Sequence, residues 1–400
     1  MKITGIECHI LIAPDLRKDM TSSSQDNIVV IVKTDEGIQG IGETDSGPWI
    51  VKACIESAGS HTMALGIQEL LIGMDPFDTS AIWEKLYTYT AMSGRRGAII
   101  CAIGAIDMAL WDIKGKALNM PVYKLLGGAH KDFIVPYASL QPNGSSIKEY
   151  RESLVKWAKK AKEYGFKAGK MECTLGGPYN HSGLHGTDED LTDIITACRE
   201  AVGYDFTMMV DVQYLWQDAK SCLRTIRKWE SLDIYFIETP LQIDNLEGYA
   251  FLARESPIRI AAGEWQNTRF EFIDLLDKGL IDVAQPDIGR VGGITEAMRV
   301  AHMAQDRGRL VVPHCWKTGI GIAASAHFAA AVLNCPYIEF QPAELCESVL
   351  RRELVLDPLI MKDGVLQLPD KPGLGIELNY EALEKYKVDK EYQPVYYHMQ

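Results

Sequence analysis

From about residue 134 onward the sequence predicts an α/β fold of eight strand-and-helix units, which favours a closed (β/α)8 barrel. An open parallel sheet is the alternative on pattern alone. Three observations predict this class. Strand-like segments recur at 134–139, 166–173, 206–211, 234–238, 258–263, 281–286, 309–313 and 336–340, with helical stretches between them. The runs FTMMV, IYFI, IRIAAG, IDVAQP and RLVVP are apolar almost throughout, as suits strands buried on both faces of a parallel sheet. Each of these five runs is followed at once by a polar group: Asp211, Glu238, Glu264, Asp287 and His314. The intervals are 27, 26, 23 and 27 residues, the length of one strand, one helix and two loops. Groups at the C-terminal ends of barrel strands converge on one mouth, the usual place for catalysis.

Ahead of this repeat, residues 2–10, 27–33 and 38–43 read as three strands, the last two joined by the turn Thr34, Asp35, Glu36, Gly37. The polar stretch DLRKDMTSSSQD lies between the first two. Helical patterns follow at about 48–60, 77–91 and 95–118. The last, GRRGAIICAIGAIDMALWDIKGKALN, is nearly apolar all round and needs a large partner to bury it. After about Ser348 the chain is turn-rich and is expected to return to the N-terminal region. The expected division is an α+β domain at 1–125, a barrel at 126–345 and a returning segment at 346–400.

Four hundred residues with 47% hydrophobic content exceed a minimal barrel of roughly 250 residues, consistent with more than one domain. A formal charge of −13 disfavours nucleic acid and anionic membrane as partners. A small anionic substrate is still allowed, since a bound cation inverts the local field. Nine cysteines form no CxxC pair, which argues for reduced thiols in a cytoplasmic protein. The opening MKITGIECHI is strand-like rather than a signal segment, and no membrane span is expected.

Asp211, Glu238 and Glu264 fall on three consecutive strands, so their carboxylates are expected to share one centre. Their repulsion must be relieved by protonation or by a cation. A hard divalent ion with oxygen ligands fits, Mg²⁺ first and Mn²⁺ second, and no nearby Cys or paired His favours zinc. Helix capping or cross-barrel ion pairing is the bland alternative for any one of them. His314, one strand after Asp287, reads as a base whose tautomer a carboxylate fixes. Lys170 and Glu172 are two apart on the second strand and face the same way. The lysine is a candidate for holding a substrate oxygen, stabilising charge or exchanging protons; the glutamate is a candidate counter-ion or substrate contact. Glu339, at the end of the eighth strand, is a further candidate for substrate binding or hydrogen bonding.

These segments together resemble the enolase superfamily, and more closely its mandelate racemase branch, over essentially the whole chain. The resemblance is carried by GIGET, AIDMALWDIKGK followed by PVYKLLGG, VDVQ, IETP, AGEW, QPDIGRVGG with VPHCW, and PGLG near the end. It implies a capping domain of strands and helices over a modified barrel, completed by the C-terminal segment. It also implies one Mg²⁺ held by Asp211, Glu238 and Glu264, and Asp287 with His314 as the general-base pair that removes the proton alpha to a carboxylate.

Three residues depart from the family pattern. Glu172 stands where the second lysine of a KxK element is usual, Gln213 replaces Asn or His, and Thr239 replaces an acidic or amide residue. With a carboxylate at 172, one-histidine chemistry is favoured over two-base racemisation. For one-histidine chemistry the resemblance implies the acid-sugar dehydratases of this branch, so the expected activity is dehydration of an aldonate or aldarate to a 2-keto-3-deoxy acid. Alternatives are a racemase, epimerase or cycloisomerase, or a non-catalytic member that binds a sugar acid. Substrate contacts are expected from Thr21, Ser22 and Ser23, from DSGPW ending at Trp49, from His181 and His185 in the long loop after the second strand, and from Trp216, Trp265 and Trp316. The expected partner is a small sugar acid, and the expected assembly a homo-oligomer.

Overall fold

The computed structural model describes residues 1–14, 25–180, 183–341, 345 and 348–388. The first three strands, β1 (Ile3–Ile12), β2 (Asp26–Thr34) and β3 (Gln39–Thr44), form an antiparallel sheet in that order. Gly37, at φ +78°, takes the left-handed position of the β2–β3 turn. The two faces of β2 serve two cores. Ile28, Val30 and Val32 pack with the helices at 48–56, 79–89 and 98–118, whereas Val29 and Ile31 join the cluster that runs into the barrel.

The helix Ala98–Leu118 is buried almost all round because it lies between this sheet and the barrel. A Cβ at Gly40 or Gly42 would meet the carbonyl oxygens of Ala109 and Ala105 at 1.9 Å, so the glycines of GIGET let helix and strand touch backbone to backbone. The two acids in this apolar helix are hydrogen-bonded, as burial demands. Asp107 accepts from the Thr295 N–H at 2.9 Å and its hydroxyl at 2.6 Å, and Asp112 accepts from Ile41 N–H at 3.1 Å and Leu374 N–H at 2.9 Å.

A two-residue strand β4 (Phe133–Ile134) leads into the barrel strands β5 (Pro136–Leu140), β6 (Ala168–Glu172), β7 (Thr207–Asp211), β8 (Ile234–Glu238), β9 (Arg259–Ala262), β10 (Val283–Ala284), β11 (Leu310–Val311) and β12 (Ile338–Phe340). They form one parallel sheet in the order β11-β10-β9-β8-β7-β6-β5-β12. No ladder joins β11 to β12 among the described residues, but the Cys315 N–H donates to Glu339 Oε2 at 2.7 Å across that seam. Tyr137, Ala168, Met209, Phe236, Ala261, Val283 and Val312 meet in one interior cluster, as in a closed barrel.

Two further strands, β13 (Met361–Lys362) and β14 (Val365–Gln367), form a hairpin whose second strand pairs with β4. The chain then returns to the N-terminal sheet, where Lys387 bridges to Leu11 and the Val388 N–H donates to Ile10 O at 2.9 Å. Among the described residues no helix is long and apolar enough to cross a membrane.

At the opposite end of the barrel from the strand tips, Arg199 is buried and donates to four carbonyls: Leu232, Gly203 and Phe206 at 2.7 Å and Asp233 at 2.9 Å. Arg199→Met keeps the length and removes every donor. Buried acceptors left unpaired cost about 1–3 kcal/mol each before water or movement relieves some of them. We expect urea unfolding to show a loss of about 3–5 kcal/mol; a loss below about 1 kcal/mol would mean that solvent replaces the guanidinium.

Candidate active site

The strand tips gather the five polar groups at one mouth, in and behind the wall of a cavity of about 620 Å³, within the usual range for a small-molecule site. Asp211, Glu264 and His314 line it, together with Lys170, Glu172, Ser139 and Gln141. Glu238 and Glu339 are wholly buried behind that surface, and Asp287 stands behind His314.

Local backbone aims Asp211. Gln213, Tyr214 and Thr239 adopt positive φ of 46°, 60° and 47° immediately after β7 and β8, a conformation costly for side-chain-bearing residues and common at functional sites. Through these turns the Gln213 N–H donates to Asp211 Oδ1 at 2.9 Å and the Thr239 hydroxyl donates to the same oxygen at 3.0 Å. Two of the three residues that depart from the family pattern thus hold one carboxylate, Gln213 through its backbone and Thr239 through its side chain.

Lys170 reaches across the interior to Glu238 at 2.6 Å, Glu339 at 3.0 Å and Asp211 at 3.9 Å. Burial disfavours its charge, but Glu238 and Glu339 outweigh burial and hold it well above the ordinary lysine range. Lys170 is therefore an ammonium at neutral pH. The carboxyls do not share evenly in that cation. Burial and then the neighbouring Glu238 push Asp211 well up, and burial raises Glu238. Glu339 is held below the usual range, because Lys170 and His314 overcome its burial. The Gln285 amide adds a 2.5 Å hydrogen bond to Glu238.

His314 Nδ1 lies 2.7 Å from Asp287 Oδ2, while Nε2 lies 3.2 Å from Glu264 and 3.8 Å from Glu339. Asp287 is itself fixed, its Oδ1 accepting from the N–H groups of Gly289 at 2.8 Å and Arg290 at 3.1 Å. Burial lowers the affinity of His314 for a proton, but Glu339 and the hydrogen bond to Asp287 raise it to about 9.

Trp265 and Trp316 line the cavity, and so does His185, exposed at the rim. Glu172 lines it too, 3.3 Å from the Gln141 amide. Trp216 does not; it packs on Trp229 and donates to Asp188, because its side chain turns into the helical layer. Trp49 is 46% exposed on the first cap helix and is not among the described residues lining the cavity, since Pro48, Val51 and Ile55 take that helix's buried side. Thr21, Ser22, Ser23 and His181 lie outside the described residues.

Sequence reasoning missed Arg290, Tyr179 and Tyr214. The two tyrosines pack against Trp265 with ring centres 4.7 and 4.8 Å away, forming an aromatic wall. Arg290 reaches Glu264 Oε2 at 3.4 Å and also holds Asp45 of the cap. It lies three residues after Asp287 in a segment already singled out, but nothing in the chain signals a contact 245 residues away.

Among the described residues no three His, Cys, Asp or Glu side chains close into a ready-made ion cage. The oxygens of Asp211, Glu238 and Glu264 are occupied instead by Lys170, Gln285, Thr239, Arg290 and His314.

The family described as mandelate racemase / muconate lactonizing enzyme, N-terminal domain, matches residues 10–127, and the family described as enolase C-terminal domain-like matches 153–383. The chain belongs to the enolase superfamily. Within that superfamily it is 31% identical to a D-galactarolactone cycloisomerase of Agrobacterium fabrum, over 97% of this chain and 99% of the relative. It is 32% identical to an arabinonate dehydratase of Saccharolobus solfataricus, over 92% and 93% of the two chains. The solved 3,6-anhydro-D-galactonate cycloisomerase from Zobellia galactanivorans superposes with a TM-score of 0.84 at 32% identity, over 97% of this chain and all of that one. The fold and the branch expected from the motifs are therefore those observed.

Proposed function

We propose that this protein is a sugar-acid dehydratase that removes the proton alpha to the substrate carboxylate and expels the β-hydroxyl, giving a 2-keto-3-deoxy acid. The observation that carries the proposal is the buried Asp287–His314 pair, whose free nitrogen faces the carboxylates of the cavity. Asp287 holds Nδ1 as the donor, so Nε2 is the atom that exchanges protons with substrate.

Members of this superfamily generally use Mg²⁺, and the donor chemistry here fits it. Three hard carboxylates share the mouth, and two of them are pushed up, first by burial and then by neighbouring carboxylates: Glu238 acts on Asp211, and Glu339 and Glu264 act on Glu238. Asp211, Glu238 and Glu264 would hold the ion, which when bound would supply positive charge beside the substrate carboxylate as the alpha proton leaves. In the metal-free protein Lys170 is held as a cation by Glu238 and Glu339, which makes it a poor base. It adds positive charge beside Asp211, Glu238 and Glu339. His314, neutral once a cation on the neighbouring carboxylates lowers its proton affinity, takes the proton; the resulting imidazolium, stabilised by Asp287 and Glu339, returns it to the departing hydroxyl, which leaves as water. A single acid/base suits elimination better than racemisation, which needs one group on each face.

Incubating the protein and Mg²⁺ with a panel of aldonic and aldaric acids, and trapping 2-keto acids with semicarbazide, tests the proposal. No product across a broad panel would overturn it. The cycloisomerase relative supports a second reading, for which solvent deuterium would enter the substrate without loss of water.

The pH behaviour follows from His314. In the metal-free protein the imidazole titrates near 9, above its unfolded value of about 6.5. Its charge therefore stabilises the metal-free fold fully below about pH 6.5, and that contribution fades as pH rises through 9. A divalent cation on the neighbouring carboxylates reduces the negative potential and lowers this value. Nitrogen-15 shifts of His314 are expected to show a lower midpoint with Mg²⁺ than without; identical midpoints would place the ion elsewhere.

A further inference from the structure

We infer that Asp45, the cap residue just after β3, is a positioning residue that fixes the Asp287–His314 pair from outside the cavity. Its carboxylate sits between two cations, each three residues downstream of one member of the pair: Arg290 after Asp287, and Lys317 after His314. Arg290 binds Asp45 Oδ2 through Nη2 and donates Nε to the Asp45 carbonyl at 3.0 Å. Lys317 lies 3.2 Å from Asp45 Oδ1 and 2.8 Å from Asp26.

The same guanidinium donates to the Glu264 carbonyl at 3.2 Å, and the backbone N–H of Arg290 is one of the two that hold Asp287. Arg290 thus ties the cap to two strand tips of the site, one through its side chain and one through its backbone. The two residues before Asp45 also grip the same segments. Glu43 accepts from the N–H groups of Thr318 at 3.0 Å and Gly321 at 2.7 Å and from the Thr318 hydroxyl at 2.6 Å, and the Thr44 hydroxyl donates to Gly289 O at 2.8 Å.

An external clamp has a physical reason. β10 and β11 are two residues each, so the ladder stops before Asp287 and His314, and beyond it the segments carrying them are held in part by cap side chains. The cap supplies them at three consecutive positions. Asp45 does not line the main cavity; it borders a void of only about 10 Å³ behind the pair, shared with Asp287 and His314. It therefore acts on the pair rather than on substrate.

The kinetic half of the test rests on the dehydratase reading; the spectroscopic half does not. The full-length wild-type chain is compared with Asp45→Asn, Asp45→Glu and Lys317→Met. The far-downfield proton resonance of the imidazole N–H bonded to Asp287 is assigned by its loss in His314→Asn. We expect the resonance in the wild type and in Asp45→Glu, and its loss to solvent exchange in Asp45→Asn, with near-ultraviolet circular dichroism unchanged. On any acid that the wild type turns over, Asp45→Asn should lower kcat about 10–100-fold, as small misplacements of reacting groups do, with KM within about twofold. Asp45→Glu should recover most of that loss.

An intact resonance and an intact kcat in Asp45→Asn would overturn the inference. So would equal damage in Asp45→Asn and Asp45→Glu with the cap melted, which would mark mere docking. If the wild type turns over no acid, the dehydratase reading falls and the resonance alone decides. If Asp45→Asn does not fold, Lys317→Met is judged by the same resonance, its loss supporting the clamp and its persistence overturning it.

Discussion

His314→Asn is expected to abolish measurable turnover while leaving the fold and divalent-ion binding in place. General acid–base groups contribute about 10²–10⁴-fold each, and here one imidazole is assigned both the removal and the return of the proton, so the loss should lie at or above the upper end of that range. Asparagine is near in size and its amide can still donate to Asp287, which keeps that buried carboxylate from losing its only imidazole partner without replacement. Because the substitution removes a base without removing a ligand oxygen, calorimetric Mg²⁺ affinity should change by less than about tenfold. A variant that retains more than about a tenth of the wild-type rate would remove His314 from the chemistry. Asp287→Asn should also be severe, because it offers the imidazole the wrong partner and frees the wrong tautomer.

The second large effect is expected from the carboxylates. Chelation should bring turnover to background and added Mg²⁺ should restore it, with Mn²⁺ as a weaker or equal substitute, since both prefer oxygen ligands. Asp211→Asn is the sharpest single change. Thr239 and the Gln213 N–H already aim its Oδ1, so an amide oxygen can keep that hydrogen-bonded position while Oδ2 loses its charge. Loss of one ligand charge should weaken Mg²⁺ binding more than the roughly 10–100-fold typical of changes one shell further out. The metal-free variant should be no less stable than the parent, because burial and Glu238 already push the Asp211 carboxyl up. Unchanged metal affinity in Asp211→Asn would show that these three strand tips are not the ion's ligands.

Much of this architecture is legible along the chain for a simple reason. Strand, helix and loop lengths set a period, and a polar residue directly after an apolar run marks a strand's end; Asp211, Glu238, Glu264, Asp287 and His314 all satisfy that pattern. The near-continuous apolar surface of Ala98–Leu118 likewise announced a helix with partners on every side. The tryptophans show where the reading stops. Trp216, Trp265 and Trp316 follow strand ends alike, yet only the last two face the cavity, because a side chain's direction in a turn depends on dihedrals that the sequence does not disclose. The paired role of Lys170 was open for the same reason: Glu172 is its neighbour in sequence, but the lysine crosses the barrel to Glu238 and Glu339 instead.

Taken alone, the amino-acid sequence determined the repeat, the order of the polar groups around the barrel and the family to which the chain belongs, because these are properties of local spacing and residue type. Only the tertiary structure decided which charges share a proton or an ion pair. It joined Asp45 to Arg290 and Lys317 across most of the chain, locked Lys170 as a cation and raised His314 to about 9. Such assignments depend on separations of a few ångströms in a medium with little water, where Coulomb energies change steeply with distance. Sequence separation carries no record of those distances.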